Sequence, residues 1–125
     1  MGKVILMHEI GFTHMLDFEA DSDNLDFYYK HIECDCIDIT RPYKLQKETG
    51  KCENIIFILD DEGALKENPK VNLFGSIAYG YPLCGNILVA KEEYTEEDVI
   101  TVGLTEEDIK EFSIAMMEMV DKLKG

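Results

Sequence analysis

Basic residues are scarce in this chain. Twelve lysines and arginines face 26 acids, Arg41 is the only arginine, and the net charge is −14 over 125 residues. So acidic a surface repels nucleic acid and anionic membrane, which argues against direct nucleic-acid binding and leaves basic protein surfaces as the complementary partner. Long apolar runs are missing as well; none approaches the roughly 20 residues that span a bilayer. The opening Met1-Gly2-Lys3-Val4-Ile5-Leu6 is too short for the apolar stretch of a signal peptide, and Leu6 stands where myristoylation needs Ser or Thr. The expectation is a cytoplasmic protein with no membrane segment. Reaction motifs are also absent: there is no phosphate loop, dinucleotide fingerprint or nucleophile elbow. The reading leans away from an enzyme, and no cofactor is implied.

What is present is ordinary globular material, 46% hydrophobic and 10% aromatic, long enough to bury a core as a single domain over residues 1–125. The organising stretch is 55–91. It opens on Ile55-Ile56-Phe57-Ile58-Leu59, turns on Asp60-Asp61-Glu62-Gly63 and closes on Asn86-Ile87-Leu88-Val89-Ala90. Two short branched apolar runs bounded by turn residues predict two central strands buried on both faces. The acids are unevenly spread, with 11 of them against three lysines in residues 92–125.

Around that pair the other elements fall into place. Lys3 to His8 and Phe12 to Phe18 predict a hairpin turning at Gly11. Asp21-Ser22-Asp23-Asn24 is a helix-start cluster, followed by a short helix from about Asp23 to Lys30. Ile32, Cys34 and Cys36 alternate with acids as an inward strand face that ends at Pro42, and residues 43–53 read as an exposed connection. A short helix or turn near Leu73–Tyr79 precedes the second central strand. The tetrads Thr95-Glu96-Glu97-Asp98 and Thr105-Glu106-Glu107-Asp108 look alike. The first precedes a β-like Val99–Val102. The second caps a helix to about Lys122 with an Ile109, Phe112, Met116, Met119, Leu123 stripe. The fold class is α+β, a largely antiparallel sheet of about five strands with the C-terminal helix packed on one face.

Four stretches carry a resemblance. They are Lys3-Val4-Ile5-Leu6, Ile32 to Ile37, Ile55 to Lys66 with its Glu62-Gly63, and Cys84 to Val89 followed by Leu104-Thr105-Glu106-Glu107-Asp108-Ile109. In these the chain resembles the family called domain of unknown function 3846, found in phages, plasmids and other mobile elements. The family's usual Pro-Pro-Asn-Arg is replaced here by Asn68 to Leu73. The resemblance implies a mobile-element origin and, with it, host takeover or counter-defence. It supplies no activity.

Candidate chemistry is thin. Cys34, Cys36, Cys52 and Cys84 lack the paired knuckle spacing of a zinc site and read as reduced core cysteines, so no metal is assigned. Arg41 with Tyr43, Tyr79, Tyr81 and Asn86 could hold a phosphate and stack a base, the basis of a nucleotide-sequestering alternative. The favoured reading is a non-enzymatic interaction protein that binds a basic host protein, in the manner of a DNA mimic. Its contact surface would be Asp60, Asp61, Glu62, Glu96, Glu97, Asp98, Glu106, Glu107 and Asp108. A ligand-free structural part of a mobile element is the remaining alternative. The Met-rich last helix, with Ile114 off its stripe, is a candidate homodimer surface.

Overall fold

A computed structural model describes residues 2–19 and 24–124. Among these, six strands form one antiparallel sheet. The hairpin of β1 (Gly2–Met7) and β2 (Thr13–Phe18) lies at one side, β5 (Ile87–Tyr94) and β4 (Ile55–Asp60) are central, and β3 (Ile37–Thr40) forms the other edge. β6 (Val99–Val102) pairs with the far half of β5, and the Lys3–Leu104 bridge joins its end to β1. At that junction the backbones of Gly2 and Gly103 meet so closely that a Cβ on either would lie 2.8 Å from the other's Cα.

The two central strands are buried on both faces, as the apolar runs require: Ile56 to Ile58 and Ile87 to Ala90 have no exposed surface. Ile5, Met7, Ile55, Phe57, Ile87 and Val89 pack under α2 (Tyr43–Thr49), α3 (Leu73–Tyr79) and α4 (Glu106–Lys124). Val4, Leu6, Ile56, Ile58, Leu88 and Ala90 pack under α1 (Leu25–Ile32). Helices therefore cover both faces, with α4 on one of them. No helix among the described residues is long and apolar enough to cross a membrane.

Three local expectations are corrected. Ile32 ends α1 instead of starting a strand. The helix closes on a left-handed Glu33 (φ 63°), with the Glu33 and Cys34 N–H groups both donating to the Tyr29 carbonyl. The strand begins only at Ile37, and Cys36 is exposed. Residues 43–49, read as connection, form α2, bounded by Pro42 and a left-handed Gly50 and anchored by the fully buried Leu45. On α4, Phe112, Ala115 and Met119 face the core, but Leu123 is 63% exposed. Asp21, Ser22 and Asp23 of the helix-start cluster lie outside the described residues.

Thr105 does cap α4. Its Oγ1 accepts the Asp108 N–H at 3.1 Å while Asp108 Oδ2 accepts the Thr105 N–H at 2.8 Å, a reciprocal capping box. The look-alike Thr95 tetrad closes a turn instead. There the Thr95 N–H and Oγ1–H both reach the Asp98 carbonyl, and the Asp98 N–H returns to Thr95 Oγ1.

Candidate functional site

That turn joins β5 and β6 into a hairpin that outreaches the cores. β4 stops pairing with β5 at Ile55↔Lys91, and the last bond on that side runs from the Glu92 N–H to the Asn54 carbonyl at 2.9 Å. Glu93 through Ile100 are all exposed. Tyr94 stands opposite Val99 and Glu93 opposite Ile100. Directly opposed residues of an antiparallel pair share a face, so Tyr94 and Val99 form an apolar spot on one side and Ile100 sits beside Glu93 on the other. Tyr94 is 64% exposed, Val99 45% and Ile100 39%.

The base of the hairpin is neutralised and its tip is not. Arg41 is ion-paired with Glu92, whose Oε2 also accepts from the Tyr94 hydroxyl at 3.4 Å. The Glu92 hydrogen bond raises the Arg41 pKa above its ordinary value. Lys91 holds Asp108 at 2.8 Å. Burial alone would raise the Asp108 carboxyl, but the hydrogen bonds from Lys91 and Thr105 outweigh it and hold it below the usual range. Among the described residues, Glu93, Glu96, Glu97 and Asp98 enter no salt bridge. No family model, curated protein or solved structure matches the chain.

The nine acids named from the sequence do not make one surface. Asp60 ends β4 and Asp61 and Glu62 follow it, at the end that antiparallel pairing places at the start of β5, away from the hairpin tip. Asp60 is itself buried, with Oδ2 2.8 Å from Lys66 Nζ and Oδ1 accepting the Glu62 N–H. Asp108 is spent on Lys91 and the capping box. Glu106 and Glu107 are exposed on the first turn of α4, where they suit the positive end of its dipole. Only Glu96, Glu97 and Asp98 occupy the tip.

Of the five residues named for a nucleotide, four adjoin one another and Asn86 stands apart. Tyr43, Tyr79 and Tyr81 do assemble, with ring centroids 5.9 and 6.4 Å apart in succession. Arg41 adjoins them through a hydrogen bond with the Tyr43 side chain, while its charge is paired with Glu92. Asn86 is buried elsewhere, where its Oδ1 accepts the Glu9 N–H and its Nδ2 donates to the His31 carbonyl and Glu33 Oε2. It fastens loops rather than facing the tyrosines. All four cysteines are free. Cys52 is buried, its thiol pushed up to about 12 by burial and then by Glu111, which also accepts its backbone N–H at 2.7 Å. Among the described residues no cluster of three or more His, Cys, Asp or Glu could hold a metal ion.

Glu93, Tyr94, Val99 and Ile100 were missed from the sequence. The signal was there in two β-like runs flanking a four-residue turn, which is a hairpin pattern. Pairing them in register would have put Tyr94 against Val99.

Proposed function

We propose that this chain is a non-enzymatic protein-interaction module that presents the β5–β6 hairpin to a basic protein surface. The observation that carries the reading is the hairpin's combination of exposed apolar side chains, Tyr94 with Val99 on one face and Ile100 on the other, with Glu93, Glu96, Glu97 and Asp98, which enter no salt bridge among the described residues. Protein interfaces are built this way. An aromatic anchor supplies the burial, and charges at the rim steer and select the partner. The mobile-element resemblance adds the nature of the partner: a basic host protein, such as one that itself binds nucleic acid, occupied by an acidic competitor.

The test is capture of interacting proteins on the tagged chain, then affinity measurement on the purified basic protein obtained. Tyr94→Ala is expected to weaken binding by ten-fold or more, roughly the 1.4 kcal/mol or above of an interface anchor. Neutralising Glu93, Glu96, Glu97 and Asp98 together should flatten the salt dependence. A partner held equally well by both variants would refute the reading.

A further inference from the structure

A different surface carries a second contact. Among the described residues no strand pairs with the outer edge of β2. The register fixes which backbone groups point outward. The His8 N–H donates to the Phe12 carbonyl, and bonded and non-bonded pairs alternate along an antiparallel ladder. Leu6↔His14 and Val4↔Leu16 are therefore the bonded pairs with β1, while Thr13, Met15 and Asp17 turn their N–H and C=O groups away from it. Lys3 agrees with this phase. Though opposite Asp17, it spends its own N–H and C=O on Leu104, on the far side.

Those outward residues are symmetric about Met15. A two-fold axis through Met15 pairs Thr13 of one copy with Asp17 of the other, Met15 with Met15, and Asp17 with Thr13. Every outward donor and acceptor of the strand is then satisfied. The side chains favour the same arrangement. Met15 lies opposite Ile5, on the face of the three-helix layer, and that layer stops short of β2. The result is an open groove of about 480 Å³ lined by Met7, Phe12, Met15, Phe74 and Met116 among others. Met15 is 59% exposed there.

Charge selects the occupant. Two copies of net charge −14 repel unless they meet where the acids are not. Residues 10–16 contain no acid, lysine or arginine, and Asp17 is held by Lys3 at 2.5 Å. β2 also lacks the proline or unpaired lysine that commonly blunts a free edge. We propose that the β2 edge is a homodimer interface, where a second copy adds its β2 antiparallel about Met15 and closes the groove. This is independent of the hairpin reading and places the dimer on a surface other than α4.

Sedimentation equilibrium of the untagged full chain should give twice 14.3 kDa, dissociating on dilution. Met15→Pro should halve that mass with the circular dichroism unchanged, because the Met15 N–H makes no bond within its own subunit and an edge strand tolerates proline there. Met15→Cys, in a Cys36→Ser background and under mild oxidation, should yield a disulfide-linked dimer. Cα atoms of a bonded antiparallel pair lie about 5.5 Å apart, within disulfide range. Met117→Cys on the exposed face of α4 should not cross-link. A 14.3 kDa species at every concentration up to the solubility limit would overturn the proposal. So would a dimer that survives Met15→Pro and cross-links through Met117→Cys.

Discussion

Replacing Asn72 by alanine is expected to destabilise the protein by about 3 kcal/mol. The side chain is fully buried. Its Oδ1 accepts the Gly75 N–H at 3.0 Å and caps α3, a contribution of about 1 kcal/mol. Its Nδ2 donates at 2.9 Å to the carbonyls of both Met7 and Gly85, each bond contributing about 1 kcal/mol net. One amide thus fastens the end of β1, the start of α3 and the loop that enters β5. The void left by alanine cannot close by sliding α3 inward, since Gly75 already packs so tightly that a Cβ there would lie 2.3 Å from Ile87 Cδ1. Urea unfolding followed by far-UV circular dichroism should show a lower midpoint with an unchanged slope. Asn72→Asp isolates the donor. It keeps the acceptor for Gly75 but sets a second oxygen against two carbonyls, so at neutral pH it should be no more stable than the alanine variant. Acid should return part of the loss by supplying an O–H. An alanine variant within about 1 kcal/mol of wild type, or an Asp variant as stable as wild type, would refute the three-bond account.

Two further outcomes follow from the same structure. Gly103→Ala puts a Cβ 2.8 Å from Gly2 Cα and 2.9 Å from the Lys3 nitrogen. Both are backbone atoms, so the β1–β6 junction must open, at a cost of about 1–3 kcal/mol, and hydrogen exchange at the Leu104 amide should quicken. Asp108→Asn removes a carboxylate whose pKa lies below its ordinary 3.8 in the folded protein. The stability from a depressed carboxyl is fully present above the unfolded value and is lost as pH falls through the folded one. The difference between wild-type and variant unfolding free energies should therefore be constant at neutral pH, at about 1 kcal/mol for this partly exposed pair, and shrink below pH 3.8. A difference that persists undiminished in acid would place the effect in packing instead of charge.

The central sheet was legible because both faces of β4 and β5 are covered, which demands uninterrupted apolar runs, and Val4 to Met7 of β1 shows the same pattern for the same reason. α4 announced itself through Thr105, whose short side chain sits where the helix begins, whereas the pattern near α3 supports only a short helix or turn and does not single out its Asn72 cap. α2 did not announce itself. Seven residues hold one buried anchor, Leu45, too few for a helical period to show. The Ile32-Cys34-Cys36 alternation misled for a related reason. Ile32 belongs to the helical stripe of Tyr28, and the period changes at the left-handed Glu33, which sequence pattern does not reveal. For the site, counting acids located the charge but could not sort it. Asp60 and Asp108 look like their neighbours in sequence, and only long-range pairing with Lys66 and Lys91 removes them from the surface.

That sorting bears on how the acidic hairpin should be understood. Among the described residues, six cations are committed to ion pairs: Lys3, Arg41, Lys51, Lys66, Lys91 and Lys122. Arg41 and Lys91 neutralise the hairpin's base and stop there. The tip is left with like charges on neighbouring residues, held together by the β5–β6 ladder and the Thr95 turn. Such repulsion is screened within about 8–10 Å at moderate salt, so added salt relaxes the isolated hairpin. A basic partner relieves the same repulsion by contact, and salt weakens that contact. The two effects have opposite sign. A purely structural hairpin would gain from salt and lose nothing, whereas a docking hairpin gains in the free protein and loses in the complex. Under the docking reading, the apolar part of that contact would be Tyr94 with Val99, which share one face of the hairpin and are 64% and 45% exposed.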